Sequence, residues 1–313
     1  MTVLVDARVA LFGALIDYAG MFPPASLDLR AAAAEFRAIR SGRTGWIGGR
    51  FLCPASQLED LAEVLTRTME AGEAPWEVSV VFDGDPGADA AAANAFDQEL
   101  DPAATVVITE VRIPPDAGPG DVNALFTAAS LGKMRVTAFL EVPLTAAWER
   151  EIGYRVVDID DARREAHLTG GAKFRCGGAS AADVPTPEQV TRFLIACRDR
   201  SLPYKFTAGL HHPIRYHDDD LGAMRHGFLN LLTASVIAVE GASEPEILAA
   251  VDETDGAAFA VTAGGMRWRD RRLGTRAVIA ARSMAMVGFG SCDFDEAVAD
   301  LDAMMLLPPG GGR

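Results

Sequence analysis

Short apolar runs alternate with longer amphipathic or alanine-rich stretches along almost the whole chain. A short apolar run bounded by turn signals is typical of a strand, whereas an apolar residue at every third or fourth position predicts a helix. The runs predict eight strands, at 9–20, 45–54, 76–84, 104–114, 134–144, 172–178, 203–210 and 257–268. The stretches between them predict helices, at 26–42, 55–72, 85–100, 119–132, parts of 145–171, 186–201, 226–241 and 243–255, and the chain closes with 273–290 and 293–307.

Eight strands that are each followed by a helix, in a chain of 313 residues, predict an α/β protein with a single (β/α)8 TIM barrel. The helices at 226–241 and 243–255 are extra elements between strands seven and eight. A doubly wound open sheet is the main alternative, because it shows the same alternation of strand and helix. We expect the barrel domain to span residues 1–307 and to be followed by a disordered tail at 308–313.

Charged side chains interrupt several predicted strands near their carboxyl ends. In GAKFRCGG, Lys173 and Arg175 lie on the face opposite Phe174, because side chains along a strand alternate between its two faces. If the apolar face packs against the outer helices, the charged face points into the barrel. Burying unpaired charge is costly, and barrel enzymes have their active sites at these strand ends. Solvated strand ends and structural ion pairs are the alternative explanation. The candidate site residues on the strands are Asp17, Glu110, Arg112, Glu141, Lys173, Arg175, Lys205 and Thr207.

Four of the five histidines lie after the seventh predicted strand, in HHPIRYHDDDLGAMRH: His211, His212, His217 and His226. Imidazoles at the catalytic end of a barrel suit a metal ion, acid–base chemistry or substrate contact, and a solvated loop is the further alternative. Adjacent residues of a strand point to opposite faces, so we expect one of His211 and His212 to face the centre. The sequence contains no HExxH or CxxC spacing. We therefore expect His211 and His212 to contact substrate rather than a metal.

Composition narrows the range of partners. The formal net charge is −15, which argues against nucleic acid and anionic membranes, because both attract clustered Lys and Arg. The four cysteines are widely spaced, as expected for reduced thiols in a cytoplasmic protein. No apolar run reaches the roughly 18 residues of a membrane span, and the N-terminus lacks the features of a signal peptide. The oligomeric state stays open, and a homo-oligomer is compatible with the sequence.

The order of several short motifs resembles that of class I deoxyribose-phosphate aldolases. AKFRCGG is followed by TPEQV and then by YKFTAGL, and in that family a strand lysine likewise precedes a Thr-Pro-Glu helix start and a second strand lysine. LIDYAG, FLCPASQL and FLEVPLT are similar to other strands of the family, and the resemblance covers residues 10–212. It implies that Lys173 is the Schiff-base nucleophile and that Lys205 is a second cation that lowers its pKa. It also implies that Glu110, where the family has an aspartate, transfers protons.

Two departures from the family concern the substrate. Arg175 and Cys176 follow the first strand lysine where the family has small hydroxyl residues, and GLHHP stands where the family has a Gly-Gly segment that helps to hold a phosphate. The glycine pair in TAGGMRW (262–268) offers another phosphate cradle, although such pairs are common turn signals. Whether the substrate is phosphorylated therefore stays open.

The sequence thus predicts an aldolase-like carbon–carbon lyase that acts through a lysine Schiff base on a small anionic carbonyl or sugar-like metabolite. We expect neither a cofactor nor a metal. Lys173, Lys205 and Glu110 are the expected catalytic residues. Two alternatives are a metal-dependent barrel enzyme that uses the His211–His226 cluster and a non-catalytic barrel that binds an anionic metabolite. The residues expected to bind substrate are Asp17, Arg112, Glu141, Arg175, Thr207, His211 and His212.

Overall fold

Thirteen strands lie within residues 5–309, the part of the chain that the computed structural model describes. They are β1 (Ile16–Tyr18), β2 (Gly48–Pro54), β3 (Trp76–Val81), β4 (Ala104–Arg112), β5 (Thr137–Glu141), β6 (Gly170–Arg175), β7 (Tyr204–Thr207), β8 (Tyr216–Asp218), β9 (Ala223–Arg225), β10 (Phe259–Thr262), β11 (Gly265–Trp268), β12 (Arg271–Gly274) and β13 (Met286–Ser291). Strands β1–β7 and β13 pair in parallel and close a barrel in the order β1-β13-β7-β6-β5-β4-β3-β2. The predicted (β/α)8 TIM barrel is therefore confirmed, and the open sheet is not found.

Eleven α-helices within the same residues surround the barrel and connect its strands. They are α1 (Ala7–Phe12), α2 (Leu29–Ser41), α3 (Leu58–Thr68), α4 (Pro86–Leu100), α5 (Pro119–Ala129), α6 (Trp148–Ala166), α7 (Pro187–Arg200), α8 (Phe228–Val239), α9 (Glu244–Val251), α10 (Thr275–Met284) and α11 (Phe294–Ala303). Helices α8 and α9 are the extra elements expected between the last two barrel strands. None of these helices is both long and apolar enough to cross a membrane.

Polar side chains determine where the helices begin. Helix α7 begins as its sequence predicts, with the Thr186 hydroxyl accepting a hydrogen bond from an amide of the first turn and a proline at the first helical position. Ser26, the first residue of the helix predicted at 26–42, is of a type that favours helix caps, but it does not cap α2, which begins at Leu29. Asp28 caps this helix instead, and its carboxylate accepts hydrogen bonds from the amides of Arg30 and Ala31. A negative charge at this end also interacts favourably with the helix dipole.

The eighth barrel strand is β13 and not the predicted run at 257–268. That run forms β10 and β11, which are joined by a turn at Ala263 and Gly264 and pair antiparallel outside the barrel, together with β12. Strand β13 reads MVGFGS, and its glycines resemble a turn in the sequence. Gly288 is needed because a β-carbon at this position would lie 2.7 Å from the carbonyl oxygen of Leu15. Only a glycine lets β13 approach the start of β1 this closely.

The small sheet β10–β12 packs against α1, the helix that precedes β1, and against α10. The amide of Ala7, in the helix that precedes β1, donates a hydrogen bond of 2.9 Å to the carbonyl of Ala263 in the β10–β11 turn. The glycine pair of TAGGMRW therefore lies in this outer sheet, beside α1, and not at the carboxyl end of a barrel strand. Its expected role as a phosphate cradle at the active site is wrong.

Outward-facing side chains of the barrel strands form a core with the surrounding helices. Phe174 of β6 stacks on Phe193 of α7 with the ring centroids 4.7 Å apart, and Tyr204 and Phe206 of β7 pack edge-on against the same ring. The lysines of β6 and β7 alternate with these aromatic residues and so point into the barrel. The predicted alternation along both strands is confirmed.

The two ends of the chain differ in part from expectation. Within the first predicted strand, 9–20, only Ile16–Tyr18 is extended, because the preceding residues belong to α1 and a turn. Pro308 is buried, although its sequence position suggests a disordered tail. Residue 309 of that predicted tail is exposed, and residues 310–313 lie outside the described residues.

Candidate active site

Three neighbouring strands bring charged residues side by side inside the barrel. In the parallel register, Lys173 of β6 is level with Glu141 of β5 and with Lys205 of β7. Glu110 lies near the end of β4, the next strand around the barrel. These positions are at the carboxyl ends of the strands, where barrel enzymes have their active sites.

Glu110 joins the two lysines. Its Oε2 atom lies 2.7 Å from Nζ of Lys173, and its Oε1 atom lies 2.5 Å from Nζ of Lys205. The hydroxyl of Ser79 donates a hydrogen bond of 2.8 Å to the same Oε1 atom. All four side chains are more than nine-tenths buried. The charged groups therefore interact with one another in place of water.

Further carboxylates extend this ion network on both sides. Nζ of Lys205 also lies 2.7 Å from Oδ2 of Asp17. On the other side, Nζ of Lys173 lies 3.0 Å from Oε2 of Glu141, and Arg112 donates a hydrogen bond of 3.1 Å to the second oxygen of that carboxylate. We call Asp17, Lys205, Glu110, Lys173 and Glu141 the ion network. It runs from the fully buried Asp17 to Glu141, which contacts the exposed Arg112 at the rim.

The carboxylates of the ion network keep Lys173 in its charged form. Burial alone would lower the pKa of Lys173, but the contacts with Glu110 and Glu141 outweigh burial and raise this pKa above its usual value. The expectation of a lowered pKa for Lys173 is therefore wrong for the resting site. The sequence shows a second lysine, but it does not show that two carboxylates bond directly to the first.

The same contacts keep the two glutamates ionised. Burial would raise the pKa of Glu110, yet the ammonium groups of Lys173 and Lys205 hold that pKa well below its usual value. Burial would likewise raise the pKa of Glu141, but the contact with Lys173 outweighs burial, so this pKa is lowered. The resting site thus contains paired charges and no neutral amine at Lys173.

A cavity of about 1060 Å³ opens at the carboxyl ends of the barrel strands. Lys173 lines this cavity, whereas Lys205 does not line it and is fully buried. The volume is sufficient for a small-molecule substrate. The cavity therefore gives a substrate access to one of the two lysines. The predicted site residues that line it are Glu110, Arg112, Glu141, Lys173, Arg175, Thr207 and His211.

Two residues expected to contact substrate, Asp17 and His212, do not line this cavity. Asp17 is fully buried and paired with Lys205. The ring of His212 lies on the α11 side, where its Nδ1 atom is 2.6 Å from Oδ2 of Asp300. The neighbouring His211 lines the cavity, in agreement with the expectation that one of these two histidines faces the centre.

The histidines of the 211–226 segment do not converge on one point. His217 pairs with Asp219 on the exposed hairpin, and His226 is buried with Nε2 2.7 Å from the carbonyl oxygen of Pro185. Between residues 5 and 309, no three His, Cys, Asp or Glu side chains are grouped as metal ligands would be. The geometry therefore gives no support to a metal site built from this segment.

The sequence analysis does not identify three residues that belong to the site or contact it: Ser79, Arg50 and Arg225. Ser79 interrupts the apolar run VSVVF, and that interruption is a signal for an inward-facing polar residue. The backbone amide of Arg50 donates a hydrogen bond of 2.9 Å to the Asp17 carboxylate, a contact between distant residues that no local pattern indicates. Arg225 of β9 also lines the cavity, although it belongs to a hairpin in the long connection after β7.

The scarcity of lysine is a second signal of this site in the sequence. Only three of the 29 basic residues are lysines, namely Lys133, Lys173 and Lys205, and all others are arginines. Two of the three lysines belong to the ion network. A lysine amine can lose its proton and react with a carbonyl, whereas an arginine stays charged in proteins. The rare lysines thus lie where amine chemistry would need them.

The fold and the ion network define a (β/α)8 barrel with a candidate active site at the carboxyl ends of its strands. No protein-family model matches the sequence, and a search of curated proteins finds no match either. The residues of the site themselves therefore indicate its chemistry.

Proposed function

We propose that the chain is a carbon–carbon lyase that holds its substrate as an imine of Lys173. The observation that carries this proposal is the position of Lys173, which lines the cavity while its Nζ contacts two buried carboxylates. Imine chemistry needs an accessible amine and nearby groups that move protons at each step. The motif order that resembles class I deoxyribose-phosphate aldolases supports the same assignment of roles to Lys173, Lys205 and Glu110.

Imine formation at this site would conserve charge. The ammonium group of Lys173 and a carbonyl give an iminium ion and a water molecule, so one positive charge is present before and after the reaction. Two N–H protons leave with the oxygen as water, and Glu110 can carry them because its Oε2 lies 2.7 Å from Nζ. The carboxylates that raise the pKa of the ammonium group also stabilise the iminium charge. A raised resting pKa is thus compatible with this chemistry.

The iminium ion then serves as the electron sink for carbon–carbon cleavage. The bond between the α and β carbons breaks, its electron pair forms the enamine, and the proton of the β-hydroxyl passes to a carboxylate. Protonation of the enamine and addition of water release the second product and restore Lys173. Lys205 lies 2.5 Å from Glu110 and keeps that carboxylate ionised, and therefore able to accept a proton.

The two alternative functions have less support. The histidines needed for a metal site are dispersed, as described above. A non-catalytic barrel could bind an anion with the rim arginines, but it would have no need of two lysines buried among carboxylates. Arginine also makes the stronger bidentate contact with an anion.

Borohydride reduction tests the proposal. The protein is incubated with small aldehydes and oxo acids, reduced and digested, and the adduct is located by peptide mass. We expect a single adduct on Lys173, because Lys205 is fully buried and Lys133 lies outside the barrel site, bonded to Asp97. Lys173→Met should abolish capture, whereas Lys133→Met should not affect it.

Two results would contradict this assignment. Capture on Lys205 in place of Lys173 would reverse the roles of the two lysines. Absence of any adduct across the panel, with folded protein, would reject the imine function.

A further inference from the structure

A hairpin in the loop after β7 holds an arginine at the cavity. Arg225 at the end of β9 is paired in register with Tyr216 of β8, and its Nε donates a hydrogen bond to Oδ2 of Asp218 in the same hairpin. The other oxygen of Asp218 accepts a hydrogen bond of 3.0 Å from the amide of Leu221. The side chain of Arg225 is only 15% exposed. These contacts fix the orientation of the guanidinium group.

Two glycines leave room for this guanidinium group. A β-carbon on Gly177 would lie 3.2 Å from Nη1 of Arg225, and one on Gly209 would lie 3.0 Å from the same atom. Gly209 also has a φ of +68°, a backbone conformation that favours glycine. The loops after β6 and β7 thus present bare backbone to Arg225, next to the strand ends that carry the two lysines.

The other arginines that line the cavity are held differently. Arg112 is bonded to Glu141 and its side chain is 67% exposed, and Arg175 is exposed. The Asp218 carboxylate accepts a hydrogen bond from Nε of Arg225, and from neither of its two Nη atoms. The remaining edge, formed by Nη1 and Nη2, has two parallel N–H groups that match the two oxygens of a carboxylate.

The position where TIM barrels often bind a phosphate is acidic in this protein. That phosphate is commonly held by the loops after the last two strands and by a helix N-terminus. Here α11 follows β13 and has Asp295 and Glu296 in its first turn. The carboxylate of Asp293 already accepts a hydrogen bond of 2.9 Å from the amide of Glu296. A phosphate dianion at this helix would meet like charges.

We propose that Arg225 binds a carboxylate of the substrate, so that the substrate is a small oxo acid and not a phosphorylated sugar. This inference rests on the proposed imine function and adds the identity of the anionic group. Arg225 would bind the carboxylate end of the molecule while its carbonyl carbon reacts with Lys173.

Capture of three classes of carbonyl compound tests the inference. Wild-type protein is titrated with pyruvate, with acetaldehyde and with glyceraldehyde 3-phosphate, and borohydride capture on Lys173 is measured. We expect half-maximal capture at the lowest concentration for pyruvate. Arg225→Gln should raise that concentration about 10- to 100-fold, the effect of losing hydrogen bonds to a charged group, with a much smaller effect on acetaldehyde. Arg225→Lys should recover part of the loss, and Arg150→Gln, at an exposed site of α6, is the matched control.

A binding measurement separates this inference from the imine function. Lactate carries a carboxylate but cannot form an imine, and its affinity for wild-type protein and for Arg225→Gln is measured by calorimetry. Weaker lactate binding by the variant, without capture of any carbonyl compound, would reject the imine function and retain the carboxylate site. Equal lactate binding by both proteins would overturn the role of Arg225. Preferred capture of glyceraldehyde 3-phosphate, unaffected by Arg225→Gln, would overturn it while retaining the imine.

Discussion

The buried ammonium group of Lys205 allows a prediction about stability that does not depend on function. Lys205 is fully buried, with Nζ 2.7 Å from Asp17 and 2.5 Å from Glu110. Lys205→Met keeps a long side chain but leaves two carboxylates without the cation that they share. Breaking a buried ion pair by removing one partner costs about 3–5 kcal/mol, because the remaining charge is neither solvated nor paired. Glu110 keeps its contact with Lys173, and Asp17 keeps the more distant Arg50 at 3.5 Å, so we expect a loss at the lower end of this range, about 3 kcal/mol near neutral pH.

Urea unfolding followed by circular dichroism at pH 7.5 and at pH 5.5 measures this loss. Lys205 is one of the two cations that lower the pKa of Glu110, so without it this pKa should rise, and the deficit relative to wild type should be smaller at the lower pH. Asp17→Asn added to Lys205→Met removes one stranded charge and should recover part of the stability.

Lys133→Met is the matched control for this experiment. Lys133 is partly exposed, and its partner Asp97 keeps a second cation, Arg135, so we expect a loss of about 1 kcal/mol. If Lys205→Met costs no more than this control, or if its deficit is the same at both pH values, the buried carboxylates do not depend on the Lys205 ammonium group.

Two further predictions concern the same ion network. The pKa of Glu110 is lowered, so its stabilising contribution is present above the unfolded pKa of about 4.3 and is lost as the pH falls below that value. The pKa of Lys173 is raised, so its contribution is complete below the unfolded pKa of about 10.4 and is lost as the pH rises through the folded value. Neither group therefore titrates near neutral pH. The buried His226, whose pKa is lowered, costs stability below about pH 6.5, and the buried thiols of Cys176 and Cys197, whose pKa values are raised, cost stability above about pH 8.5. Urea midpoints should form a plateau between these two values, and a steady fall across this plateau would contradict the paired charges. Ser79→Ala removes the hydrogen bond to Glu110 and should lower the free energy of unfolding by about 1.5–3 kcal/mol, measured in the same assay. An unchanged midpoint would show that the hydroxyl does not bond to this carboxylate.

Local alternation in the sequence was sufficient to predict which way the lysines point. Side chains of a strand alternate between its faces, so Phe174 and Phe206 on the helix side require Lys173 and Lys205 on the inner side. The succession of strands and helices likewise predicted a parallel sheet, because each strand–helix unit places the next strand beside the last, and the count of eight strands favoured its closure into a barrel.

The features that sequence analysis missed depend on residues that are distant along the chain. An apolar run such as 257–268 satisfies the strand pattern in a barrel and in an outer hairpin equally well. The glycine at position 288 is explained by the carbonyl of Leu15, which no local window contains. The direction of the pKa shift of Lys173 depends on carboxylates contributed by β4 and β5. The distance of these carboxylates from Nζ is a property of the closed barrel.

The strand that closes the barrel is also the last of its eight strands to be synthesised. β13 pairs with β1 on one side and with β7 on the other, so both of these edges lack a partner until residues 286–291 have left the ribosome. Unpaired strand edges associate readily with other chains. The partners Asp17 and Lys205, 188 residues apart, must also remain hydrated until that moment. The nascent chain therefore cannot close its barrel until β13 has emerged. A ribosome that stalls before β13 would carry a chain with two unpaired strand edges, which chaperones and proteases can recognise.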